Sequence, residues 1–322
     1  MRKYILIFMA VFAVAHVASG DVVRQYAVPA VACGEQSLAP GVRLELPTFD
    51  GARISLSLGS RTSSVTGFSS YGAKSEGAIG WNATVVETAD GFVATVPDSR
   101  TGHVFTFRRD AETLTVTERA PPRGHCRQCE PRQFVDVPSS AGGAKLAKAA
   151  PPLTGKPLVD GKAMLRGETV TNVVDILFAY DKSASDWVRE NSAFAALDNP
   201  LSAFAQDRVQ NMNNTLVNSG LGQLFEFRLA GVIAVSTDAS KVKDTWGYVD
   251  LARIIDYASG YRVDANKTRL ADWKKIRAKR NSVGADLVSV MVDAGSGGVA
   301  GYGFALDDNS IRTAKFSDYA YS

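Results

Sequence analysis

Apolar and polar side chains alternate in Val42-Arg43-Leu44-Glu45-Leu46 and Ile54-Ser55-Leu56-Ser57-Leu58, and Phe92-Val93-Ala94-Thr95-Val96 is another short apolar-rich run. Val104-Phe105-Thr106-Phe107 and Leu114-Thr115-Val116-Thr117 continue the pattern. A period of two sends successive side chains to opposite faces of a strand. Asp50-Gly51, Asp90-Gly91 and Thr101-Gly102 supply turn chemistry between the runs. The spacing predicts a small antiparallel β domain over residues 21–137, with little room for helix.

Beyond residue 170 the period changes. Val173 to Tyr180 is a short apolar run that predicts a buried strand. Leu201, Phe204, Ala205, Val209, Met212 and Leu216 follow i, i+3, i+4 steps and predict a core-facing helix over 199–218, stopped at Gly220. Phe225 to Val235 reads as a second strand, and a helix is expected around Tyr248 to Tyr257. Leu270, Trp273 and Ile276 lie among Lys274, Lys275, Arg277, Lys279 and Arg280, which predicts an amphipathic helix with a solvated basic face. Asp286 to Val292 is a third strand, central to an α/β sheet. Glycines 295, 297, 298, 301 and 303 then frame Val299 to Phe304, a glycine-interrupted strand at a sheet edge. Strands alternating with helices predict a mostly parallel sheet flanked by helices over 169–322.

Residues 138–168 separate the two patterns and are rich in Ser, Gly, Ala, Lys and Pro. Such a stretch buries too little apolar surface to offset its ordering entropy, so an exposed linker is expected, with Lys145, Lys148 and Lys156 open to proteolysis. At the other extreme, Arg2 and Lys3 precede the apolar segment Tyr4 to Val17 and the small residues Ala18-Ser19-Gly20. That is the layout of a signal peptide over residues 1–20, with a secreted or periplasmic product. The chain has 36 basic and 33 acidic side chains, and losing Arg2 and Lys3 leaves 34 against 33. So even a balance points away from nucleic acid and anionic membranes as partners. Export also exposes Cys33, Cys126 and Cys129 to oxidation, which predicts one disulfide and one odd thiol, connectivity open.

Candidate chemistry is sparse. Asp181-Lys182-Ser183-Ala184-Ser185 fits D-x-S-x-S after a strand, a set of hard oxygen ligands in Asp181, Ser183 and Ser185 that suits a divalent cation of an adhesion module. The same residue types cap helices. Cys126-Arg127-Gln128-Cys129 has neither the helix start of a redox pair nor the following His of a haem site, so a structural disulfide with Cys33 is its default. The three histidines are His16, His103 and His125, none in the second unit. Neither an imidazole-rich zinc site nor a serine-hydrolase triad can be assembled there.

Val174 to Tyr180, Asn213 to Leu221, Phe227 to Val232, Gly284 to Val292 and Gly298 to Tyr302, taken in order, resemble the N-terminal part of a metzincin zinc protease catalytic domain of the bacterial reprolysin-like type. The resemblance implies an α/β fold, a mixed sheet with flanking helices, incomplete within these residues, preceded by a β prodomain. It implies a zinc-dependent endopeptidase acting on protein or peptide substrates, which pair with an edge strand at Val299, Ala300, Gly301, Tyr302 and Gly303. The family's H-E-x-x-H-x-x-G-x-x-H helix, whose histidines bind the zinc cofactor, does not occur in these 322 residues. No catalytic residue is therefore assigned in the chain, which is expected to be inactive alone, either as a fragment of a longer zymogen, the preferred reading, or as an inactive remnant. The resemblance further implies that Cys126 or Cys129, just before the linker, serves as an inhibitory zinc ligand of the propeptide.

Overall fold

The computed structural model describes residues 22–33, 37–120, 172–238 and 270–292. Its first part is an eight-stranded antiparallel sheet: β1 (Val22–Pro29), β2 (Arg43–Pro47), β3 (Arg53–Ser63), β4 (Ser69–Ser75), β5 (Ala83–Thr88), β6 (Gly91–Pro97), β7 (Val104–Arg109) and β8 (Thr113–Arg119). The order is β1-β8-β7-β6-β5-β4-β3-β2. The sheet curls until its two edges meet, where the Tyr26 ring packs edge-on to Phe49 at 4.9 Å and the Tyr26 hydroxyl donates to the Thr48 carbonyl at 3.0 Å. Inside the curl, Leu44, Leu46, Leu56, Leu58, Tyr71, Val85, Phe92, Phe107 and Val116 form one buried cluster. Most are inward members of the alternating runs, joined by Tyr71 of β4 and Val85 of β5, and their burial is what drives the sheet to close.

Five of the strands follow the alternation read from the sequence, whereas β1, β4 and β5 lie in stretches where no strand was expected. Asp90-Gly91 behaves differently from a plain turn. Gly91 opens β6, and a Cβ there would collide with the Arg109 carbonyl of β7, so the residue serves close strand approach.

The second part contains β9 (Asn172–Tyr180), α1 (Lys182–Asn191), α2 (Pro200–Asn218), β10 (Phe225–Ala234), α3 (Leu270–Val283) and β11 (Leu287–Met291). β9 is central, with β10 and β11 parallel on either side. A strand covered on both faces needs apolar residues at every position, and Ile176 to Tyr180 are all buried. Ile176, Phe178 and Tyr180 face α2, while Leu177 and Ala179 face α3 through Ile276. Lys274 and Lys275 are exposed on α3. Helix α1 was not expected; Asp181 caps it by accepting from the Ala184 N–H at 2.7 Å. The molecule is thus a mixed α/β protein with a large curled antiparallel sheet and few helices. A mixed sheet was expected from residue 169 onward; the three strands described there are all parallel. Among the described residues no helix is long and apolar enough to cross a membrane. The signal peptide, the linker, the helix near 248–257 and the edge strand at 299–304 lie outside the described residues.

Helix α2 faces the core as expected, and its burial extends beyond the apolar stripe: Ala203 to Gln210 are buried without interruption. Phe204, Val209 and Leu216 pack on the parallel sheet, and the opposite side of α2 lies against β4 and β5 of the curled sheet. Two units predicted to be joined by a linker share this helix as a common wall.

Candidate functional site

At the carboxyl edge of the parallel sheet, the D-x-S-x-S segment follows β9 as expected. Asp181 is buried, and its backbone N–H donates to the Met291 carbonyl at 3.0 Å, which ties the loop to β11. Both Asp181 carboxylate oxygens accept from the Ser183 hydroxyl at 2.8 Å, in addition to the cap bond from Ala184. Asp181 and Ser183 are therefore already joined in the helix-capping arrangement. Ser185 Oγ is buried without a hydrogen-bond partner. Beside this loop, the Lys182 N–H donates to the Thr237 carbonyl at 3.0 Å. Asp272 of α3 accepts from the Thr237 N–H at 2.9 Å and from Lys275 Nζ at 3.0 Å. Burial raises the Asp272 pKa, but the Thr237, Lys275 and Ser236 donors outweigh it and hold the carboxyl below its ordinary value. A carboxylate held in that way is a brace between α3 and the end of β10, and a poor proton acceptor.

The more elaborate polar arrangement lies between the two sheets, and sequence reasoning missed it. Gln206, Gln210, Asn214 and Asn218 recur every fourth residue on α2. That spacing aligns them on one helix face. Gln206 Nε2 donates to Ser70 Oγ at 2.7 Å, Ser70 Oγ donates to Gln210 Oε1 at 2.9 Å, and Gln210 Nε2 donates to Asn214 Oδ1 at 3.2 Å. Asn214 Nδ2 then reaches the Ala83 carbonyl at 2.8 Å. Asn218 brackets Trp81, accepting from its N–H at 2.8 Å and donating to its carbonyl at 2.9 Å. Deeper in, the Asp207 carboxylate accepts from the Thr84 hydroxyl and from Arg208, whose guanidinium lies 5.1 Å from the Phe204 ring. Gln206 Oε1 and Arg208 Nε are the buried atoms of this network that lack a partner.

The strand side is shaped to match. A Cβ on Gly72 would lie 2.3 Å from Asn214 Oδ1, so glycine here leaves the helix amide room to reach β5 across β4. Asn213 turns to the parallel sheet instead, accepting from the Phe227 N–H at 2.8 Å and donating to its carbonyl at 2.9 Å. Together with the Val65 N–H, which donates to the Leu229 carbonyl at 3.2 Å, it covers the outer edge of β10.

Two further polar features belong to the curled sheet. Glu118 accepts from Arg24 Nε at 2.7 Å and lies 2.6 Å from His103 Nδ1. Its burial is outweighed by those two partners, which hold its pKa below the ordinary value. A cleft of 310 Å³ lies where the β5–β6 and β7–β8 turns meet the loop before α2, lined by Asp90, Arg109, Asp110 and Asn199 among others. Asp110 is committed within its own turn, accepting from the Thr113 N–H at 2.7 Å.

Among the described residues no three His, Cys, Asp or Glu side chains gather as a metal would require. The described residues do not fit a catalytic zinc, and no reaction step is derived through one. The remaining candidates, Cys126, Cys129 and the edge strand Val299 to Gly303, lie outside the described residues. Compared with models of protein families and with curated proteins, the chain matches none.

Proposed function

We propose that the chain is the prodomain and the substrate-binding part of a secreted zinc endopeptidase precursor. The observation that carries this reading is the parallel sheet β10-β9-β11. Its strands overlap Val174 to Tyr180, Phe227 to Val232 and Gly284 to Val292, three of the stretches on which the metzincin resemblance rests. The curled sheet seated on α2 supports a prodomain role for the front unit. On this reading a peptide substrate pairs with the strand at Val299 to Gly303. The zinc and its H-E-x-x-H helix come from a segment outside these 322 residues, and Cys126 or Cys129 supplies the inhibitory ligand.

The test is to express the whole reading frame beside residues 21–322, and to measure bound zinc and casein cleavage. A longer product that carries H-E-x-x-H, binds one equivalent of zinc and cleaves casein is the expected result. A reading frame without a histidine-rich helix, or cleavage by residues 21–322 alone, overturns the proposal. One observation favours a second reading. The unpartnered Ser185 Oγ beside the Asp181 cap would suit a cation-dependent binding module. In that case magnesium would raise the melting temperature, and Asp181→Ala would remove the rise.

A further inference from the structure

The bonds between the curled sheet and α2 join residues far apart in sequence, and none depends on the covalent connection through residues 121–171. Ser70 and Thr84 contribute from the sheet; Gln206, Asp207, Gln210 and Asn214 contribute from the helix. Val86 and Val93 add an apolar patch that joins the core beneath α2. The contact is extended at both ends by Asn218 with Trp81 and by Arg119, whose Nη2 donates to the Asn191 carbonyl at 2.7 Å. An interface with directed, buried hydrogen bonds and an apolar patch has the anatomy of a specific association between partners.

Its composition carries a second message. Ser70, Thr84 and Gly72 on one side and four amides on the other are groups that water also satisfies. An obligate interface resembles a domain core cut in half and leaves each part with exposed apolar surface when parted. The seam here leaves hydroxyls, amides and the Asp207–Arg208 pair, beside a small apolar patch at Val86 and Val93. Strong enough to hold and polar enough to part, it suits an association that is made and later undone.

We propose that the front sheet is a non-covalent partner of α2, so that a chain cut between residues 121 and 171 remains a two-fragment complex until the polar seam is broken. Cutting and release are then separate events. The regulatory meaning of that separation, a prodomain that stays seated after the linker is cleaved, rests on the precursor reading above; the complex itself does not.

The test uses the full chain with residues 142–148 replaced by the recognition sequence of a site-specific protease. After cleavage, gel filtration at neutral pH and about 1 μM protein is expected to give one peak holding both fragments. Two separate peaks overturn the proposal. Gly72→Leu, which drives a side chain into Asn214, should separate once cut, while the uncut variant stays assembled, because a tether supplies an effective concentration of about 1 mM. If the cut Gly72→Leu fragments co-elute as the parent's do, the seam is not what holds them, and the proposal fails. Should that variant not fold, Gln210→Ala with Asn214→Ala removes the same bonds at positions that favour helix. Its fragments should bind about tenfold more weakly or worse by fluorescence anisotropy. An unchanged affinity overturns the proposal. Protease activity enters none of these readouts, so failure here leaves the zinc endopeptidase reading standing, and the reverse.

Discussion

Strands β4 and β5 are buried on both faces, but the two faces are built from different chemistry. Toward the interior of the curl they present Tyr71, Ala73, Ala83 and Val85; toward α2 they present Ser70, Gly72, Thr84 and Val86. The first face is held by removal of apolar surface from water, a force without direction, so shape alone has to match. The second is held largely by hydrogen bonds, which fix how α2 lies along the strands because each amide must meet one particular hydroxyl or carbonyl. Equal burial therefore does not mean equal function: one face makes the sheet fold, and the other specifies what it folds against.

Substitutions can break this contrast in order of size. Asp207→Ala leaves Arg208 buried without its carboxylate and is expected to cost about 3–5 kcal/mol in urea denaturation, because an uncompensated buried charge is the dominant penalty. Leu56→Ala in the apolar interior should cost about 2–5 kcal/mol, the sum of lost transfer energy and the cavity left behind. Thr84→Val keeps the shape and removes one donor to Asp207, so about 1–3 kcal/mol is expected. A Thr84→Val loss close to zero would mean that the seam contributes shape and little directed bonding. Combining Thr84→Val with Asp207→Asn in a double-mutant cycle would measure that coupling directly.

A smaller effect depends on pH. The Glu118 pKa is lowered in the folded chain, so its contribution to stability is fully present above the ordinary value of 4.5 and is lost as pH falls through the folded value. Thermal melts taken downward from pH 6 should show the parent losing stability over that acid range more steeply than Glu118→Gln. At the small end, Arg228→Ala removes a bidentate pair with Asp175, at 2.6 and 2.7 Å, but Arg228 is 42% exposed. Solvent screening limits the loss to about 1 kcal/mol or less, readable as a shift in urea midpoint.

Much of the fold was legible in the chain. The apolar run Ile176 to Tyr180 marks a buried strand, as expected, but the central place expected for Asp286 to Val292 goes to β9: among the described residues β11 pairs with β9 alone. The stripe of Phe204, Val209 and Leu216 marks the face of α2 that meets the sheet. β4 was opaque because Ser69-Ser70-Tyr71-Gly72-Ala73 has no alternation: its outward residues are small and its partner is a helix that begins 125 residues after the strand ends. The ladder Gln206, Gln210, Asn214 and Asn218 was visible as spacing, but an amide stripe on a helix ordinarily faces water. Of the candidate site, the Asp181 segment was correctly placed after a strand, and its cap geometry agrees with the commoner use of Asp before a helix.

What the sequence by itself determined was local: the periods of two and 3.6, the inward faces, the turns and the stops. These follow from backbone geometry and from the removal of apolar groups from water, both of which act over a few residues. Only the tertiary structure decided that the amide face of α2 would be buried and that the front sheet would cover it. Whether a polar side chain meets water or a partner depends on donors and acceptors more than a hundred residues away, and no local pattern encodes them.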